Sequence, residues 1–140
     1  MIKFSDLTVG DGLPTISKQF TRAQRVSYAN ASGDQNPIHQ DEVAAKSVGL
    51  PDVIAHGMLT MGSAIQVVTD WIGDPTAVVD YSVRMTRPVV VPDVTEGVTV
   101  TFSGKVAQLN EDGTVRIDLT AVFAEQTVLG QARALVRLPQ

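Results

Sequence analysis

The 140 residues suit one domain, 1–140, and at 44% hydrophobic they can form a packed core, which excludes a disordered chain. A net charge of −4 argues against a nucleic-acid coat, and no stretch reaches the roughly 18 apolar residues of a membrane span. The absence of cysteine excludes disulfides, thiolate–metal sites and a thiol nucleophile; with no signal-peptide pattern over residues 1–6, the expected location is the cytoplasm.

Thr21-Arg22-Ala23-Gln24 reads as a capping box that opens a helix through about Ala31, with Thr21 accepting from a free N–H and Gln24 reaching back. Ser32 to Pro37 breaks that helix, and Asp41 to Val48 reads as a short one stopped by Gly49 and Pro51. From Met58 to Ile72 most positions are apolar, and Thr60, Ser63, Gln66 and Asp70 make one narrow polar stripe. A helix apolar over most of its circumference must be wrapped by other structure. Beyond it the period changes to two. Ala77, Val79, Tyr81, Val83 and Met85 form one face, Val98, Val100 and Phe102 another, and Val115, Ile117, Leu119, Ala121 and Phe123 a third, with a last strand over Val128–Leu138. Asn110-Glu111-Asp112-Gly113 and Glu125-Gln126 read as turns. Consecutive strands with short turns predict an α+β fold, an antiparallel sheet curled around the Met58–Ile72 helix. So small a domain cannot enclose a long ligand, which would need a groove or a subunit interface.

The chain has two histidines, and each sits among turn and polar residues. Within Ser32-Gly33-Asp34-Gln35-Asn36-Pro37-Ile38-His39, Gly33 and Pro37 bend the backbone so that Asp34 and His39 can converge on one point, to hold a water or to divide the roles of acid and base. Asn36 could fix the loop or orient a carboxylate. Singly, Asp34 and Asn36 would be read as turn residues and His39 as a satisfied hydrogen-bonding group. One carboxylate and one histidine are too few for a metal site, and no cofactor is expected. In Ile54-Ala55-His56-Gly57-Met58-Leu59, Gly57 leaves the N-terminus of the apolar helix open to a ligand, where a thioester oxygen gaining negative charge could be held. The plainer alternative is that Gly57 permits tight packing and His56 caps the helix. Arg84 and Arg87 are ordinarily solvated strand residues; with each other, or Arg133 with Arg137, they could form a basic patch for an acidic protein partner.

Tyr28 through Ala45, with Ser32-Gly33-Asp34 and Asn36-Pro37-Ile38-His39 at its centre, resembles the signature of MaoC-like, R-specific enoyl-thioester hydratases, departing mildly at Ala31. Ala55-His56-Gly57-Met58-Leu59 resembles the family's second landmark, the start of the central helix. Gly49-Leu50, Ile54–Gly62, Trp71-Ile72-Gly73-Asp74-Pro75 and Tyr81-Ser82-Val83-Arg84 resemble in particular the β-type subunits of (3R)-hydroxyacyl-ACP dehydratases of mycolic-acid-type fatty-acid elongation. The resemblance implies a hot-dog fold and pairing of two such domains, as a heterodimer with a related subunit or as a homodimer. The substrate it implies is an acyl thioester on acyl carrier protein or CoA. It implies Asp34 and His39 as the catalytic pair, the Gly57 N–H as oxyanion donor, and Asn36, His56, Ser63 and Arg84 as substrate contacts. Two other readings stay open: a hot-dog thioesterase, and a non-catalytic acyl-binding subunit.

Overall fold

The computed structural model describes residues 1–140. A first strand, β1 (Ile16–Phe20), ends at Thr21, whose extended backbone and hydroxyl start helix α1 (Arg22–Ser32) by accepting the Gln24 N–H at 3.1 Å. Only half of the expected capping box forms, because Oε1 of Gln24 is buried without a partner. Asp41 caps α2 (Glu42–Ser47) through the N–H groups of Val43 and Ala44. The long helix α3 runs Gly57–Ile72, and the strands β2 (Val78–Met85), β3 (Val98–Leu109), β4 (Thr114–Phe123), β5 (Gln126–Thr127) and β6 (Leu129–Arg137) follow.

All pairings are antiparallel, in the order β1-β3-β4-β6-β2, with β5 beside β4. The expected alternation holds in β4, where Val115, Ile117, Leu119 and Ala121 are buried. In β2 it fails. Register shifts between Val78 and Asp80, and again between Ser82 and Arg84, rotate successive side chains, so Val79 and Met85 are exposed while Val78, Tyr81 and Val83 are half-buried. A bulge has this effect because the side-chain period of a strand is two. The second turn is centred on Ala124 and Glu125, both at positive φ, one residue earlier than the sequence suggested.

Helix α3 lies over β3 and β4 and buries Thr60, Ser63, Ala64, Val67 and Val68. These are small or β-branched residues, and Gly104 of β3 lets the helix come close: a Cβ there would sit 3.3 Å from Val67 Cγ1 and 3.1 Å from Leu119 Cδ2. The expected polar stripe is therefore divided, with Thr60 and Ser63 buried and Gln66 and Asp70 exposed. The sheet does not wrap the helix all round within one chain. Met58 is 61% exposed, and Leu59, Ile65 and Trp71 are only half-buried. Strand β2, whose Tyr81 hydroxyl donates to the Met61 carbonyl of α3 at 2.7 Å, is an edge strand with one row of backbone N–H and C=O groups unpaired. No helix is long and apolar enough to cross a membrane.

Candidate active site

Helix α1 stops at Gly33, whose left-handed backbone (φ 80°) closes the last turn through its N–H to the Ala29 carbonyl at 2.9 Å. The loop beyond is laced by its own side chains. The Asp34 N–H donates to Oγ of Ser32, the Asn36 N–H to Oδ1 of Asp34, and the Ile38 N–H to Oδ1 of Asn36, each at 3.2 Å. Asn36 thereby caps the 3-10 turn Pro37–His39, on which His39 is carried into the interior. Asp34 remains exposed, so the loop presents one buried and one exposed titratable group to the same point.

Nδ1 of His39 is 2.8 Å from the Ile54 carbonyl. A carbonyl can only accept, so Nδ1 holds the proton and Nε2 offers its lone pair. Ile54 is itself fixed, since its N–H donates to the Ile38 carbonyl and the Ala55 N–H donates to Val89. Nε2 of His39 faces Oδ2 of Asp34 across 3.9 Å. That is too long for a direct hydrogen bond, but one oxygen atom about 2.8 Å from each would fit between them. Burial pushes the His39 imidazole below its ordinary value, and the neighbouring His56 and Arg25 act in the same direction. The Ile54 carbonyl and the Asp34 carboxylate oppose that shift. The balance leaves a neutral imidazole near pH 7, which is the form able to take a proton.

His56 is 1% exposed and stacks on His39, with ring centroids 3.9 Å apart and 27° between planes; Tyr28 packs on it at 4.8 Å. Its Nε2 lies 3.1 Å from the backbone carbonyl of Asp34, so it donates there and holds the Asp34–His39 loop. Nδ1 of His56 is buried without a partner. The structure thus joins a third donor to Asp34 and His39, one more than the sequence counted, with all three ligand atoms within 4.8 Å of one another. Two of the four ring nitrogens are engaged by carbonyls, which leaves His39 Nε2 and His56 Nδ1 free.

Beside His39 opens a pocket of 330 Å³, lined among others by Ala55, Gly57, Thr60, Met85, Arg87 and Leu129. Gly57 is the first residue of α3, and its N–H makes no hydrogen bond within the chain; the N–H groups of Leu59 and Thr60 take the His56 carbonyl instead. A Cβ at Gly57 would stand 3.1 Å from Sδ of Met85. The glycine therefore keeps the helix N-terminus open between the pocket and the Met85 side chain.

The remaining expected contacts lie elsewhere. Ser63 is buried within α3 outside the pocket lining, while Thr60, three residues from Gly57 and on the same helix face, lines it. Arg84 is exposed on β2 with its Cβ over Gly130, and it is Arg87, held to the Thr127 carbonyl at 3.0 Å, that borders the pocket. Asn36 shapes the loop and does not line the pocket. The sequence reading missed Arg25, which is buried and donates from Nε to the His39 carbonyl at 3.0 Å. Its only signal was its spacing from Ala29, which puts both on one helix face.

A family model described as "MaoC like domain" matches residues 7–123. The chain is 40% identical over 79 residues to the 3-hydroxyacyl-thioester dehydratase X of Mycobacterium tuberculosis, covering 56% of this chain and 27% of that protein. It is 31% identical over 142 residues to the 3-hydroxybutyryl-CoA dehydratase of Methylorubrum extorquens, covering 100% of this chain and 86% of that one. A solved MaoC-like dehydratase superposes with a TM-score of 0.92 at 43% identity, over 97% of this chain and 42% of that chain. The chain thus spans about a quarter of the tuberculosis relative and less than half of the solved chain.

Proposed function

The chain belongs to the MaoC-like domain family, and we propose that residues 1–140 act as one hot-dog domain that removes water from, or adds it to, a (3R)-hydroxyacyl thioester. The observation that carries the reading is the gap of 3.9 Å between Asp34 Oδ2 and His39 Nε2, with the His39 proton fixed on Nδ1. Two dehydratases so named, at 40% and 31% identity, support it.

In the dehydration direction, Nε2 of His39 takes the C2 proton. The electron pair of that C–H bond forms the C2–C3 double bond as the C3–O bond breaks, and the thioester oxygen carries part of the charge meanwhile. The free Gly57 N–H, at the positive end of α3, holds that oxygen. The departing hydroxyl sits against Asp34 and leaves as water with the proton returned through the Asp34–His39 pair. The pair ends as it began, and no metal or other cofactor is needed to balance the step. Hydration is the reverse.

The physiological setting we infer is acyl-chain elongation in the cytoplasm, with the substrate on acyl carrier protein or CoA. The active species is a dimer of hot-dog domains, a heterodimer with a related subunit. The half-covered apolar face of α3 and the open edge of β2 support pairing, because a second sheet would bury both.

The test is incubation with short and long trans-2-enoyl thioesters on both carriers, following loss of the conjugated double bond and release of free thiol. Formation of the (3R)-hydroxy product with no thiol supports the reading. Thiol release without hydration makes the protein a thioesterase. Neither reaction, with tight acyl binding, makes it a non-catalytic subunit.

A further inference from the structure

Arg25 is fully buried, with 0% of its surface exposed, and is the largest such side chain in the molecule. Its neighbour Val26 is 46% exposed, so α1 turns an arginine inward and a valine outward, against the ordinary preference of both. A guanidinium out of water is costly unless paired. Arg25 has no carboxylate within 4.0 Å: Arg22, one turn earlier, takes Asp52 at 2.8 Å, and Arg25 feels Asp52 only through space. Nη1 of Arg25 is buried with no partner at all. Burial, with Arg22 nearby, brings its pKa down to about 10, so it stays charged at neutral pH. The hydrogen bond it makes, from Nε at 3.0 Å, goes to the backbone carbonyl of His39.

For stability alone, a buried guanidinium with no carboxylate partner is a costly choice. We propose that Arg25 is a positioning residue for His39: its buried guanidinium holds the main chain from which the imidazole is aimed, and it sets an unneutralised positive charge beside that residue. This rests on the reading of His39 as the base. Four groups act on the imidazole. Asp34 and the Ile54 carbonyl favour a charged ring, whereas His56 and Arg25, helped by burial, oppose it. The Ile54 carbonyl fixes which ring nitrogen carries the proton, and Arg25, bonded to the backbone of the same residue, His39, adds its charge against a second proton.

The experiment is the pH dependence of kcat and kcat/KM for hydration of a trans-2-enoyl-CoA by the wild type, Arg25→Met and Arg25→Lys. In Arg25→Met, kcat falls by up to about 100-fold through misplacement of the ring, KM stays near the wild-type value, and the acid limb of kcat/KM moves to higher pH. In Arg25→Lys, which keeps the charge, the limb stays where the wild type has it and kcat recovers in part. Where Arg25→Met does not fold, Arg25→Gln, neutral but still a donor, carries the same test. An unmoved acid limb in a folded neutral variant overturns the proposal. So does failure of both neutral variants to fold while Arg25→Lys folds, since Arg25 is then structural alone. A wild type with no hydration activity overturns the reading beneath the proposal as well; an active wild type with an insensitive neutral variant overturns the proposal only.

Discussion

Oδ2 of Asp34 stands 3.9 Å from Nε2 of His39, an exposed carboxylate facing a buried imidazole. Burial keeps the imidazole below its ordinary 6.5, so the acid limb of kcat/KM should lie on the acid side of pH 6.5. The sign for stability follows. The folded state binds fewer protons than the unfolded state between the lowered value and 6.5, so this contribution is complete above pH 6.5 and is lost as pH falls through the folded value. Urea melts at pH 7 and pH 5 should show a smaller loss in His39→Gln than in the wild type. A limb above 6.5, or equal losses, would count against the buried neutral base.

Gly57→Pro should remove the proposed oxyanion donor at little structural cost. Gly57 is the first residue of α3, where proline is favoured, and His56 before it has the extended backbone (φ −58°, ψ 130°) that proline requires of its predecessor. The ring would press on Met85, a flexible side chain that can yield. The expected outcome is a thermal midpoint near the wild type with kcat lowered about 10²–10³-fold. Unchanged kcat in the folded variant would remove the Gly57 N–H from the mechanism.

Asn36→Ala should lower both stability and turnover. Its Oδ1 caps the 3-10 turn that carries His39, through the Ile38 N–H. Loss of such a cap costs about 1 kcal/mol, read from denaturant melts, and the loosened loop should reduce kcat more than it raises KM. Wild-type turnover in this variant would show that the loop holds its shape without the cap.

Pairing should be visible in solution. Met58 at 61% exposure lies at the N-terminus of α3, and Val79 at 51% and Met85 at 49% lie at the two ends of the edge strand β2. Light scattering should give at least a dimer, and addition of a related subunit should raise turnover of long acyl substrates. A monomer fully active on long chains would refute pairing as a requirement; a homodimer with no gain from a partner would refute the heterodimer.

Much of this was legible before the structure. The cap at Thr21, the short helix after Asp41, the period-two strand β4 and the apolar run of α3 follow from local preferences and came out within a residue or two, whereas β3 runs on to Leu109, well past the alternation read over Val98–Phe102. Asp34, His39 and Gly57 stood out because turn residues and a glycine at a helix start have local signatures. What sequence could not show depends on long-range register. The bulges in β2 expose Val79 and Met85 and take Arg84 away from the pocket. The close packing of α3 on the sheet divides the expected polar stripe, burying Thr60 and Ser63 and leaving Gln66 and Asp70 exposed. The contacts of His56 with Asp34, and of Arg25 with His39, span 22 and 14 positions and leave no periodic trace.

The most direct measurement is the rate of trans-2-enoyl thioester hydration by folded Asp34→Asn, His39→Gln and the double variant. The account predicts that each single change costs about 10²–10⁴-fold, and that the double is little worse than the poorer single, because the two residues act as a unit. Near-normal turnover in either folded single variant would contradict it.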